Sequence, residues 1–191
     1  MLDSNDLALW CALNRLISDY WADVDENGGQ TAHEFYVPEG LYAIGNNRFE
    51  GQEQIQAFYA RRRYGTVMTR HLVSNVRVLG EDERHARTLG LISLYRADGK
   101  SPFQGSRPPA MIADFDAQCV LENNRSWRFR SHVLRPFIVS GDLPASIAIR
   151  PQTLESIDPC RAQDVLVDAA VHAIRKLAKD DLPGERSPHQ N

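Results

Sequence analysis

From about Ser4 to Asp25 the apolar residues recur as Leu9, Trp10, Leu13, Ile17, Tyr20, Trp21 and Val24, the three-and-four spacing of a helix that buries one stripe. Asn27, Gly28 and Gly29 stop it, and Thr31 with Glu34 has the spacing of a capping box, which predicts a short second helix ending before Pro38. A compact strand pair follows, Leu41 to Ile44 and Arg48 to Glu50, joined by a Gly45-Asn46-Asn47 turn that tolerates left-handed backbone. Residues 52–63 set Ile55, Phe58 and Tyr59 among polar and basic positions, a third amphipathic helix. Beyond it the pattern turns to β, predicting four long strands at Val67–Leu79, His85–Arg96, Met111–Leu121 and Trp127–Val139. Helices that precede a run of strands predict an α+β domain over residues 1–140.

Two connections differ in character. Glu122 to Ser126 is a hairpin turn, whereas Asp98 to Pro109 carries two glycines and three prolines and is long enough to serve as a lid over whatever the sheet encloses. After Val139 come Gly141, Pro144, Pro151 and Pro159, and residues 141–191 read as a C-terminal extension. Val165, Leu166, Ala169, Ala170, Ala173, Ile174 and Leu177 make a helix stripe over about 161–179 that must dock on the domain or on another subunit, and the last ten or so residues are expected to be disordered.

Composition narrows the partners. The 191 residues are 42% apolar and 25% charged, with a formal charge of −3, so one core can form and no basic surplus draws the chain to nucleic acid or an anionic membrane. No apolar run approaches a bilayer span and the N-terminus lacks the features of a secretion signal, which places the protein in the cytoplasm. Cys11, Cys119 and Cys160 are odd in number and widely spaced. They suit buried reduced thiols better than disulfides or a metal site, and a cysteine nucleophile would need an activating base; no metal is assigned.

Candidate chemistry starts at the end of the first helix. At about 100° per residue, Asp25 falls at the edge of the arc holding Ile17, Trp21 and Val24, while Asp19 and Asp23 point elsewhere. A carboxylate there either finds a buried partner, serves as an acid or base, or turns to solvent. Strict alternation places His71 on one strand face with Val67, Thr69, Val73 and Asn75, either as a satisfied core group or as a base held by a carboxylate, for which Asp25 is the best candidate. Tyr20 can orient a substrate oxygen or fill the core. Alternation groups His132 with Arg128 and Arg130 on a polar face unless a bulge rephases the strand, and the side chains of Tyr95, Asp114 and Asp116 cannot be oriented. The Arg61-Arg62-Arg63 run is a solvated helix end or a phosphate site.

The residues Leu16-Ile17-Ser18-Asp19-Tyr20 through Asp25, the Gly51-led third helix, the strand Thr69-Arg70-His71-Leu72-Val73-Ser74-Asn75-Val76-Arg77-Val78 and the later Trp127-Arg128-Phe129 resemble the SnoaL-like group of the nuclear transport factor 2-like superfamily. The likeness covers about residues 5–139. It implies a cone-shaped, curved mixed sheet packed on three N-terminal helices, commonly dimeric, in a group that includes scytalone dehydratase, bile acid dehydratase, hexachlorocyclohexane dehydrochlorinase, ketosteroid isomerase and polyketide cyclases. Their shared chemistry is proton abstraction beside a leaving group or carbonyl, usually without a cofactor. Asp25 and His71 match the Asp-His pair of the dehydratases and the dehydrochlorinase, and Tyr20 matches the bile acid enzyme's tyrosine. Where the dehydratases carry a second acid or histidine this chain has Leu94, Tyr95 and Arg96, so the general acid is either missing or replaced by Tyr95, and where the dehydrochlorinase has an arginine it has His132.

The resulting expectation is a cofactor-independent lyase or isomerase acting on a small hydrophobic, cyclic substrate. His71 is its base, Asp25 its orienting carboxylate, and Tyr20 or His132 steadies a substrate oxygen, with Trp21, Asn75, Tyr95 and His132 as substrate contacts. The rival is a non-catalytic binder or an assembly subunit like the β subunits of ring-hydroxylating dioxygenases.

Overall fold

The computed structural model describes residues 4–61, 67–99 and 101–140. The last residues of the expected third helix, Cys160 and the extension 141–191 lie outside the described residues. The chain runs α1 (Ser4–Glu26), a four-residue 3-10 helix (Ala32–Phe35), β1 (Tyr36–Ile44), β2 (Asn47–Glu50), α2 (Gly51–Ala60), β3 (Val67–Gly80), β4 (His85–Asp98), β5 (Met111–Leu121) and β6 (Trp127–Val139). The six strands form one curved sheet in the order β2-β1-β6-β5-β4-β3. β1 runs parallel to β6 and every other pair is antiparallel, so the sheet is mixed.

Two α-helices, not three, precede the long strands. Thr31 does not cap a helix with its side chain; its hydroxyl donates to Asp23 Oδ1 at 2.9 Å and its N–H to Oδ2 at 3.1 Å. Asn27 also bonds this carboxylate, at 2.8 Å, so Asp23 ties down the connection that follows α1 and leaves only one 3-10 turn. The same connection needs Gly29, at φ +75°, because a Cβ there would sit 2.5 Å from the Tyr59 ring.

α1 buries Leu13, Leu16, Ile17, Tyr20, Trp21 and Val24 against the sheet, while Trp10, expected in the stripe, is 44% exposed. The inner face of the sheet supplies Ile92, Leu94, Met111, Phe115, Phe129 and Leu134 to the same core. Cys119 is buried, but Cys11 is exposed on α1, contrary to the expectation of buried thiols; burial pushes the Cys119 thiol up to about 12.

Four register shifts bend the sheet. In β1 the chain bulges between Tyr36 and Leu41, and Gly40 is required there because a Cβ would meet Tyr36 Cβ at 2.7 Å and the Val37 carbonyl oxygen at 2.9 Å. β3 carries an irregularity between Ser74 and Arg77, with Asn75 at φ +53°. β6 is irregular twice, between the partners of Gln118 and Cys119 and between those of Ile112 and Ala113. Among the described residues no helix is long and apolar enough to cross a membrane.

Candidate active site

The last turn of α1 lies beside the start of β3, which is an edge strand. Alternation along β3 turns Thr69 and His71 to the helix side, and both engage Asp25. Oδ1 accepts from the Thr69 hydroxyl at 2.8 Å and contacts His71 Nδ1 at 2.6 Å, while Oδ2 accepts the backbone N–H of His71 at 2.6 Å. Arg70 braces the junction by donating to the carbonyl oxygens of Asp25 and Thr69, at 3.2 and 2.8 Å. The side chains of His71 and Asp25 are 6% and 7% exposed, so the pair is nearly closed to solvent.

Burial alone would raise the Asp25 carboxyl, but the hydrogen bonds and charge of His71, with the Thr69 hydroxyl, outweigh it and hold Asp25 below its ordinary value. A carboxylate on Nδ1 fixes the proton of the neutral imidazole there and leaves the ring's basic lone pair on Nε2. Trp21, one helical turn before Asp25, lies face to face with His71, with centroids 4.1 Å apart and planes 22° apart. Trp21, Asp25 and His71 line a crevice of about 280 Å³ whose walls include Ile17, Val73 and Arg70.

Tyr20 and His132 belong to a second constellation. Tyr20 Oη lies 2.6 Å from Tyr59 Oη and accepts from Tyr36 Oη at 3.0 Å, and Tyr36 Oη is 3.3 Å from His132 Nδ1. Tyr20 and Tyr36 are fully buried, Tyr59 and His132 nearly so. Burial pushes the phenols of Tyr20 and Tyr36 well above their ordinary range, which makes them poor proton donors to a substrate. His132 reaches the interior because one of the β6 irregularities falls at Arg130: Cys119 pairs with Phe129 and Gln118 with Ser131, so the inward positions step by three from Phe129 to His132. Burial, then the nearby charge of His71, lowers the His132 pKa to about 3, so the ring is neutral at physiological pH. Trp21 also meets this ring in a T-shaped contact, with centroids 5.6 Å apart.

Two expected contacts fall elsewhere. Asn75 does not continue the His71 face: the irregularity in β3 makes Val76 and Val78 the next inward residues and leaves Asn75 exposed, beside Arg77, Arg87 and Asp114. Tyr95 pairs with Arg70 on the outer face, whereas the residue opposite His71 is Leu94. Tyr95 therefore does not stand in for the missing acid. Thr69, Tyr36 and Tyr59 were not anticipated. Thr69 carried a signal, being two positions from His71 on a common face; Tyr36 and Tyr59 carried none, because separate elements bring their hydroxyls to Tyr20.

Comparison with curated proteins gives no significant match. Among solved structures the chain is similar to a protein assigned as a scytalone dehydratase from Novosphingobium aromaticivorans, with a TM-score of 0.63 and 15% identity over 78% of this chain and 97% of that one. It is also similar to the β subunit assigned to an aromatic-ring-hydroxylating dioxygenase of the same organism, with a TM-score of 0.60 and 11% identity over 72% and 94% of the two chains. A protein of unknown function with a cystatin-like fold from Nostoc punctiforme gives 0.56 and 16% identity over 75% and 97%. At these identities the likeness is one of fold. The SnoaL-like domain family matches residues 7–133, two-thirds of the chain, and with the mixed sheet and the helix-to-strand junction at Asp25 this places the protein in that family, within the nuclear transport factor 2-like superfamily.

Proposed function

We propose that the protein is a cofactor-independent lyase or isomerase that removes a carbon-bound proton from a small, largely apolar substrate. The observation that carries this reading is the 2.6 Å contact between Asp25 Oδ1 and His71 Nδ1 on the wall of a crevice. Nε2 of His71 takes the proton, and the Asp25 carboxylate, charged at neutral pH, balances the imidazolium as it forms. The crevice, at about 280 Å³, lies just below the range of drug-sized pockets, which suits a compact ring compound resting on Ile17, Trp21 and Val73. No second acid faces the dyad from Leu94 or Tyr95, and the cation that lines the crevice is Arg70.

A second reading, a non-catalytic assembly subunit, is favoured by the likeness to a dioxygenase β subunit and by exposed Leu72, Phe137 and Ile138. The deciding experiment screens hydroxylated and halogenated ring compounds for elimination or isomerisation, with exchange of the substrate C–H into deuterated water as the first readout. Turnover or exchange that falls by about 10²- to 10⁴-fold in His71→Gln is the expected result. Exchange that survives this substitution, or its absence with every compound alongside co-purification of a stoichiometric partner protein, overturns it.

A further inference from the structure

The hydrogen bond from Asp25 to Nδ1, together with the Cβ that the strand carries, selects the orientation of the His71 ring. An indole lies over one face of the ring. Trp21 lies nearly parallel to the imidazole at 4.1 Å and 22°, and it is buried, at 4% exposure, so it cannot move aside without opening the core. The carboxylate holds the edge of the ring and the indole covers its face, so both resist a swing of Nε2.

We infer that Trp21 is a positioning residue for His71: its indole face braces the imidazole in the orientation that Asp25 selects and favours the imidazolium that forms when His71 accepts a proton. An aromatic face attracts a cation lying over it, most strongly for tryptophan and more so where water is excluded. The role goes beyond lining the crevice, since it acts through His71, and it rests on reading His71 as the base. Among the described residues the other ionisable groups around His71 are Asp25 and Glu26 on α1, Arg70 on β3, Arg96 on β4 and His132 on β6. Replacing Trp21 changes none of their formal charges, so a shifted titration reports the indole.

The test needs no substrate. Ring nitrogens of the full-length protein labelled with ¹⁵N-histidine are followed against pH in the parent, Trp21→Phe and Trp21→Leu. The expected result is a His71 midpoint about half a unit to one unit lower in Trp21→Leu, a smaller drop in Trp21→Phe, and loss of the sharp hydrogen-bonded Nδ1 proton in the leucine variant alone. A folded Trp21→Leu protein with an unchanged midpoint and an unchanged Nδ1 proton overturns the inference. Because the leucine variant removes a large buried ring, the parent supplies a second measurement: indole emission should step with pH as the stacked imidazole charges, and the step should be absent in both His71→Gln and Trp21→Phe. Emission without such a step also overturns it. Failure of every substrate screen would leave these readouts intact, so the two proposals fail separately.

Discussion

Asp25 grips His71 at two points of the same residue, one carboxylate oxygen on the ring nitrogen and the other on the backbone N–H, each at 2.6 Å. The carboxylate thereby fixes both the strand and the side chain that strand carries. Asp25→Ala strands three donors in a nearly closed site and should lower the stability to denaturant by about 3 kcal/mol; a loss below about 1 kcal/mol would show that the grip is not structural. The acid limb follows from the sign of the shift. Asp25 titrates lower in the folded protein than in the unfolded chain, so its contribution is present above the unfolded value and disappears as pH falls through the folded one. Asp25→Asn should flatten that limb of the stability curve.

His132 makes a separate prediction at milder pH. Its folded value lies at about 3 against an ordinary 6.5, so between those limits the unfolded chain binds a proton that the folded protein refuses. Stability from this group is therefore full above about pH 6.5 and falls by about 1.4 kcal/mol for each unit of acidification toward pH 3. Denaturant unfolding at pH 7, 6, 5 and 4 should show a shallower decline in His132→Gln than in the parent. Parallel curves would mean that this ring accepts a proton in the folded state.

Gly90 and Phe115 share a space that holds one side chain. A Cβ at Gly90 would lie 2.5 Å from the Phe115 ring and 2.8 Å from the Ser74 carbonyl oxygen, so Gly90→Ala should cost about 1–3 kcal/mol. Adding Phe115→Ala removes the first clash but not the second, which is with backbone at the β3 irregularity. The double variant should remain less stable than Phe115→Ala alone, as measured by thermal unfolding; full recovery would mean that the β3 backbone yields.

On the outer face Asp116 accepts two bonds from Arg87, at 2.8 and 2.7 Å, and longer ones from Arg135, at 3.3 and 3.2 Å. The bonds from Arg87 are the main reason its carboxyl sits below the ordinary value. Geometry ranks the partners: Arg87→Ala should destabilise more than Arg135→Ala, whose side chain is 60% exposed and whose loss should stay under about 1 kcal/mol. Unfolding in low and high salt checks this, since the contribution of Arg135 should fade with salt and that of Arg87 largely persist.

The sequence by itself determined the order of the two α-helices and the six strands between Ser4 and Val139, the amphipathic stripe of α1, and the placement of Asp25 and His71 on faces that could meet. Each of these rests on local periodicity, 3.6 residues in the helix and two in the strand, which neighbouring residues impose on one another. The capping-box spacing of Thr31 and Glu34 opens no α-helix, because a carboxylate eight residues earlier claims the Thr31 hydroxyl. Tertiary structure alone decided the rest. Period two holds only while the register holds, and irregularities in β3 and β6 sent Asn75 outward and His132 inward. The stack of Trp21 on His71 and the phenol chain from Tyr59 to His132 join residues from different elements. Their contacts are set by how whole elements pack, a long-range outcome that no local pattern encodes.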